Sequence, residues 1–156
     1  MATKFAVQQQ GVADGSAVPA DKADGRQVNA NKTVIIASKP TDEAWNSGDA
    51  IYLGKKGGGT KIIGVSVIAG ASLGTSTIDI GEGGDPTDGG AVDTVDSIVD
   101  GATVTTADRV VSIGPKASIA DDEPSDEETG LWATIGVANI AAATTCTILI
   151  ELAGIQ

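Results

Sequence analysis

The chain has 156 residues and a mass of 15.4 kDa, enough for one domain with a real core and too little for two large ones. Its 10 basic and 21 acidic side chains leave a formal charge of -11 and a pI near 4.1, which repels phosphate backbones and anionic membrane surfaces and argues against nucleic acid or lipid as partners. With no His and one Cys, the chain alone can form no Ser-His-Asp triad, Cys-His dyad, imidazole-ligated metal site or intrachain disulfide.

Aromatics are only 3% of residues, so the core must be aliphatic. The aliphatic side chains are mostly β-branched: 14 Val and 16 Ile, with 16 Thr beside them, stand against 5 Leu. Together with 21 Gly, this favours strands and turns over helices and predicts an all-β domain. Residues 1–31 are rich in Gln, Ala, Asp and Gly with scattered apolar side chains, too few for a packed element. They read as an extended N-terminal arm, either a disordered terminus or an arm that orders on a neighbouring subunit. The opening MATKFAVQQQ holds no apolar run of signal-peptide length, and no stretch approaches the roughly 20 apolar residues that span a bilayer. The expectation is a soluble protein not exported by the standard route.

From residue 32 onward the pattern is that of a β domain. TVIIAS (33–38) predicts a first strand, ended by the turn signals Pro40, Asn46, Ser47 and Gly48. DAIYLG (49–54), TKIIGVSVIAG (60–70) and STIDIG (76–81) predict three further strands, paired as an antiparallel meander. In the second of these, alternation places Ile63, Val65 and Val67 on one face and Ile62, Ser66 and Ile68 on the other. In AVDTVDSIVD (91–100), Val92, Val95 and Ile98 or Val99 recur at helical spacing and predict a short helix or a few turns. ATVTTADRVVSIG (102–114) returns to strand character, and residues 115–130 form an acidic loop. LWATIGVANIA (131–141) and TTCTILIEL (144–152) predict a closing hairpin whose last strand places Cys146, Ile148, Ile150 and Leu152 on one face. About seven or eight such strands indicate an antiparallel β-sandwich or jelly-roll-like body. Its expected core is Ile63, Val65, Val67, Ile78, Ile80, Ile135, Val137, Ile148 and Ile150.

No segment carries a catalytic or cofactor signature. GKKGGGTK (54–61) transposes the Lys and Thr of a phosphate loop and joins two strands instead of opening a helix, so it reads as a mobile hairpin tip. GEGGDPTDGG (81–90) sets Glu82, Asp85 and Asp88 among five glycines, and residues 121–128 hold six carboxylates. Neither segment has the spacing of a known calcium loop, so both read as solvated acidic loops. Nor does any pair of carboxylates carry the surrounding rings of a sugar site. Cys146 lies on an apolar strand face and reads as a buried, inert thiol. Trp132 stands opposite Leu131, Ala133 and Ile135, where it either packs against a second apolar surface or anchors a subunit contact.

The run GDAIYLGKKGGGTKIIGVSVIAGASLGTSTIDIG (48–81) resembles the head decoration, or cement, proteins of tailed bacteriophages. The shared features are a Gly-Asp-x-Ile-x-Leu-Gly strand, a short basic Gly-containing turn, an apolar strand, and a Leu-Gly-Thr turn into Thr-x-Asp-x-Gly. Weaker similarity continues through residues 96–108 and the final Thr- and Ile-rich segments, covering about three quarters of the chain. The turn at Lys55, Lys56, Gly57, Gly58 and Gly59 departs from a frequent Leu-Pro-Lys-Gly type sequence. The resemblance implies a non-enzymatic protein without cofactor or metal. It would sit on the outer surface of the virion head, be assembled in the host bacterial cytoplasm and bridge major capsid protein subunits, most simply as a homotrimer. Candidate subunit or capsid contacts are Phe5, Val7, Arg26, Lys55, Lys56, Asp121, Asp122, Glu123 and Trp132. The other reading from the residues is a calcium- or carbohydrate-binding β-sandwich of a surface or secreted protein.

Overall fold

Strand-forming sequence dominates the computed structural model, which describes residues 31–121 and 126–154. Eight strands lie among the described residues: β1 (Asn31–Ser38), β2 (Ala50–Lys56), β3 (Thr60–Ala69), β4 (Thr77–Gly83), β5 (Val99–Thr103), β6 (Val110–Gly114), β7 (Thr129–Gly136) and β8 (Cys146–Gly154). The one α-helix among the described residues, α1 (Ala117–Asp121), has five residues, so no described helix is long and apolar enough to cross a membrane. The residues 1–30 of the expected arm lie outside the described residues.

The strands form two four-stranded antiparallel sheets, ordered β1-β8-β3-β6 and β2-β7-β4-β5. This is the expected jelly-roll-like sandwich, with a different connectivity from the one that strand spacing suggests. The predicted meander does not exist, because β2 and β4 belong to one sheet and β3 to the other. The closing hairpin is also absent: β7 pairs with β2 and β4, while β8 pairs with β1 and β3. Short links of Gly, Thr and Ala satisfy a hairpin and a sheet-to-sheet corner equally well, and register breaks supply the bends that corners need. One break lies between Tyr52 and Gly54 in β2 and another between Ile62 and Gly64 in β3.

Those bends decide which apolar residues reach the interior. Val65, Val67, Ile78, Ile80, Ile135, Ile148 and Ile150 are wholly buried, as their alternation predicts. Ile63 is not: the bulge shifts the phase of β3, so Ile62 turns inward at 3% exposure and Ile63 outward at 45%. Val137 is not in the core either, and at 73% exposure it is the most exposed large apolar residue described. The chain leaves β7 at Gly136 to cross to the other sheet. The Ala138 amide donates to the Gly136 carbonyl at 2.7 Å, and Val137 at the centre of this γ-turn has φ +63°. A β-branched residue in that region is strained.

Two other segments depart from their patterns. Residues 91–98 are irregular and not helical, because Val92 bridges to Gly83 and the Ile98 amide donates to the Ile80 carbonyl. Tertiary pairing outweighs the weak helix preference of a Val-rich segment. The stretch 102–114 is likewise two strands, with β5 in one sheet and β6 in the other.

Ile148→Ala should cost about 2–5 kcal/mol in denaturant unfolding, the range for a fully buried large-to-small change. Ile63→Ala should change stability by no more than about 0.5 kcal/mol, as at an exposed position. Val137→Gly should not destabilise, because glycine adopts the positive φ without strain. Equal losses at positions 63 and 148 would contradict the bulged register.

Candidate interaction surface

The β2–β3 turn lies against residues 126–128, the described part of the acidic stretch before β7, at one end of the sandwich. Lys55 Nζ is 2.7 Å from Glu128 Oε2 and 3.9 Å from Asp85 Oδ2. The hydrogen bond and charge of Glu128 raise the Lys55 pKa, with a smaller rise from Asp85. Lys56 behaves differently. It is 9% exposed and donates to Glu82 Oε1 at 2.7 Å, while Thr129 Oγ1 also donates to that oxygen at 3.4 Å. The backbone of Asp126 lies so close to Gly58 that any side chain there would overlap its carbonyl. The turn is thus held against residues 126–128, where sequence alone suggests a mobile tip. Of the two turn lysines, Lys55 is the one that keeps substantial exposure, at 44% of its side chain.

Residues 84–95 fold back over the outer side of β4 in the β2-β7-β4-β5 sheet. A Cβ on Gly81 would overlap the Thr94 carbonyl, so this close backbone approach requires glycine. Asp85 caps the short 3₁₀ turn Pro86–Asp88 by accepting from the Thr87 amide at 2.9 Å and the Thr87 hydroxyl at 2.7 Å. These two bonds, the hydroxyl's first, hold the Asp85 carboxyl below its ordinary pKa. Among the described residues no group of three or more His, Cys, Asp or Glu is placed to hold a metal ion.

Trp132 is covered by the same segment. Its Nε1 donates to the Gly84 carbonyl at 3.1 Å, its ring meets Tyr52 edge-on at a centroid distance of 5.2 Å, and it is 8% exposed. Burial raises the Tyr52 hydroxyl pKa, and the charge of Asp85 adds to the rise. Trp45, at 5% exposure, closes the opposite end by exchanging backbone hydrogen bonds with Ile140 at 3.0 and 2.8 Å. Both tryptophans are therefore largely buried by packing among the described residues. Of the remaining candidate contacts, Phe5, Val7, Arg26, Asp122 and Glu123 and the side chain of Asp121 lie outside the described residues.

Two further buried groups, Cys146 and Lys39, lie toward the Trp45 end. Cys146 is 1% exposed, and burial pushes its thiol up to about 11, with Lys39 drawing it slightly back. Lys39 is itself 4% exposed. Its ammonium donates to the carbonyls of Pro40 at 2.8 Å, Glu43 at 2.5 Å and Ala142 at 2.8 Å, tying the β1–β2 link to the β7–β8 link. No sequence signal distinguishes this lysine from a solvated one.

No protein-family model matches the chain, and no curated protein matches it. Two solved structures do. A chain of the capsid of Ralstonia phage GP4 superposes with a TM-score of 0.55 at 17% identity, covering 81% of this chain and 86% of that one. A chain of the cyanophage Pam1 capsid asymmetric unit matches over the same shares at 14% identity with a TM-score of 0.47. The chain shares its fold with a chain of the Ralstonia phage GP4 capsid.

The Cys146 thiol should resist aromatic disulfide reagents at pH 8 until the protein unfolds. Its folded pKa of about 11 lies above an ordinary 9.0, so stability should be level below pH 9 and fall from there toward pH 11 as the unfolded chain releases its proton first. In Cys146→Ala, that part of the alkaline decline should be missing from pH-dependent unfolding curves. Lys39→Met should cost about 1–3 kcal/mol by leaving carbonyls without their donor. A Lys39→Met protein as stable as the parent would show that the ammonium contributes nothing to joining the two links.

Proposed function

We propose that this chain is a non-enzymatic structural protein of a tailed-phage virion that decorates the outside of the head and reinforces it by bridging major capsid protein subunits. The observation that carries the reading is the fold shared with a chain of the Ralstonia phage GP4 capsid over most of both chains. Charge supports the outer surface over the interior, because a chain of formal charge -11 facing packed DNA would meet a dense field of its own sign. The site geometry supports a structural role. Glu82 pairs with Lys56, Asp85 caps a 3₁₀ turn and approaches Lys55, and the thiol is buried in the core.

In this reading the unit is a homotrimer, since coat subunits meet around threefold and quasi-threefold axes and cyclic symmetry matches that geometry. Three attachments made together raise avidity far above one, so each can be weak. The acidic residues Asp121, Asp122 and Glu123 face basic coat side chains, and the segment carrying Phe5, Val7 and Arg26 supplies further contacts. Lys55, exposed beside Glu128, supplies a further contact.

Heads prepared without this protein should retain the added chain through a sucrose gradient, in a saturable manner. Retention should weaken as salt rises from about 0.05 to 0.5 M, because the attachment is partly ionic and screening shortens its reach. Neutralising Asp121, Asp122 and Glu123 together should weaken retention and flatten that salt dependence. Heads that retain no chain at any concentration would refute the reading.

A further inference from the structure

Strain and exposure coincide at Val137. Its φ of +63° is one that β-branched residues almost never adopt, and 73% of it is exposed. Asp108, the other described non-glycine residue at positive φ, belongs to a type that tolerates this region. Gly or Asn would hold the turn at 137 with less strain, and an exposed valine adds little to the core. The backbone on either side is fixed. The Gly48 amide donates to the Ile135 carbonyl at 2.7 Å, the Ser47 amide donates to Asn139 Oδ1 at 2.7 Å, and Ile140 exchanges backbone hydrogen bonds with Trp45. A strained backbone that its surroundings hold in place is where function, not stability, selects the residue.

The end of the sandwich around Val137 is chemically unlike the opposite end. The links 70–76 and 137–145 meet there through the Ser76 hydroxyl, which donates to the Asn139 carbonyl at 3.3 Å, and neither link carries a charged side chain. The carboxylates of this end are Asp42, Glu43 and Asp49 on the β1–β2 link and Asp108, beside Arg109, on the β5–β6 link. Lys39 is buried against three carbonyls. The opposite end carries the ion pairs of Lys55 with Glu128 and Lys56 with Glu82, together with the described part of the acidic stretch. Strand β7 runs between the two ends over eight residues, about 25 Å, well beyond the ~8 Å screening length at physiological salt. One end therefore offers ionic contacts and the other a rigid apolar knob, too far apart to serve a single contact.

We propose that Val137 inserts into an apolar socket on a coat subunit, and that the chain bridges two such subunits with chemically different ends, the acidic stretch on one and Val137 on the other. The proposal deepens the reading of the chain as a head-decorating protein, and rests on it, by naming the second attachment that bridging requires. The turn is fixed before contact and valine has a single stiff χ angle, so little freedom is lost on insertion. An apolar contact is not screened, so it persists at salt concentrations that weaken the ionic one.

Retention of the full chain on heads prepared without it, followed across salt, tests this. The parent should keep a salt-resistant part of its affinity at about 0.5 M, where attachment through the acidic stretch is largely screened. Val137→Asn and Val137→Gly should be at least as stable as the parent in denaturant, because both relax the turn. They should nevertheless bind about tenfold more weakly at that salt, as expected for losing one buried valine side chain. Val137→Ile, which keeps an apolar β-branched side chain, should bind more tightly than either. Neutralising Asp121, Asp122 and Glu123 together should instead remove the salt-sensitive part and leave this one. Equal high-salt retention of the parent and both relaxed variants overturns the proposal and leaves the decorating role standing, as does parent retention that vanishes at that salt. Loss of stability in both variants also overturns it, because the side chain would then be covered within its own chain. Self-association of the full chain that Val137→Asn abolishes, with retention on heads unchanged, overturns it as well and assigns the knob to a second copy. Heads that retain no parent chain overturn both readings.

Discussion

Cys146, Ile148, Ile150 and Leu152 of β8 and Leu131, Ala133 and Ile135 of β7 belong to one buried aliphatic cluster, and that cluster is the constraint on which the remaining structure depends. Neither sheet can bury its apolar side without the other. The chain crosses between them at nearly every link, so each corner is fixed by the same packing that holds the core. With so few aromatics, the layer is filled by branched aliphatic side chains whose stiff χ1 angles suit strands. Burying one such side chain is worth about 1.5–3 kcal/mol, so the 20 residues of the cluster dominate any surface ion pair.

Corners are where polar chemistry has been recruited. Lys39 joins two links through three carbonyls, the Lys56–Glu82 pair ties the β2–β3 corner to β4, and Trp45 clamps the β7–β8 link by backbone pairing with Ile140. These contacts tie neighbouring links to one another at the ends of the sandwich.

Strand existence and the inward face of most strands were legible in the sequence, because period-two alternation in STIDIG and TTCTILIEL leaves one consistent choice. Connectivity was not. A link such as Gly57–Gly58–Gly59 carries the same composition whether it turns back within a sheet or passes to the other. The bulge at Ile63 was equally hidden, since both faces of TKIIGVSVIAG are apolar and either phase looks acceptable. The same ambiguity in TVIIAS concealed the exposure of Ile36. At the candidate site, residue types predicted that Lys55 and the acidic segment before β7 matter, but their mutual pairing depends on the corner that brings them together. Trp132 was visible as an unusual residue, and its burial depends on a segment that looked like an open loop.

Cross-strand backbone NOEs in the isotopically labelled protein test the central claim most directly, since the sheets pair mostly non-consecutive strands, β4–β5 excepted. Contacts are expected between Val67 and Ile148 and between Ile78 and Ile135, which stand opposite each other on β3–β8 and β4–β7. A continuous ladder joining β7 to β8 or β2 to β3 would contradict the account.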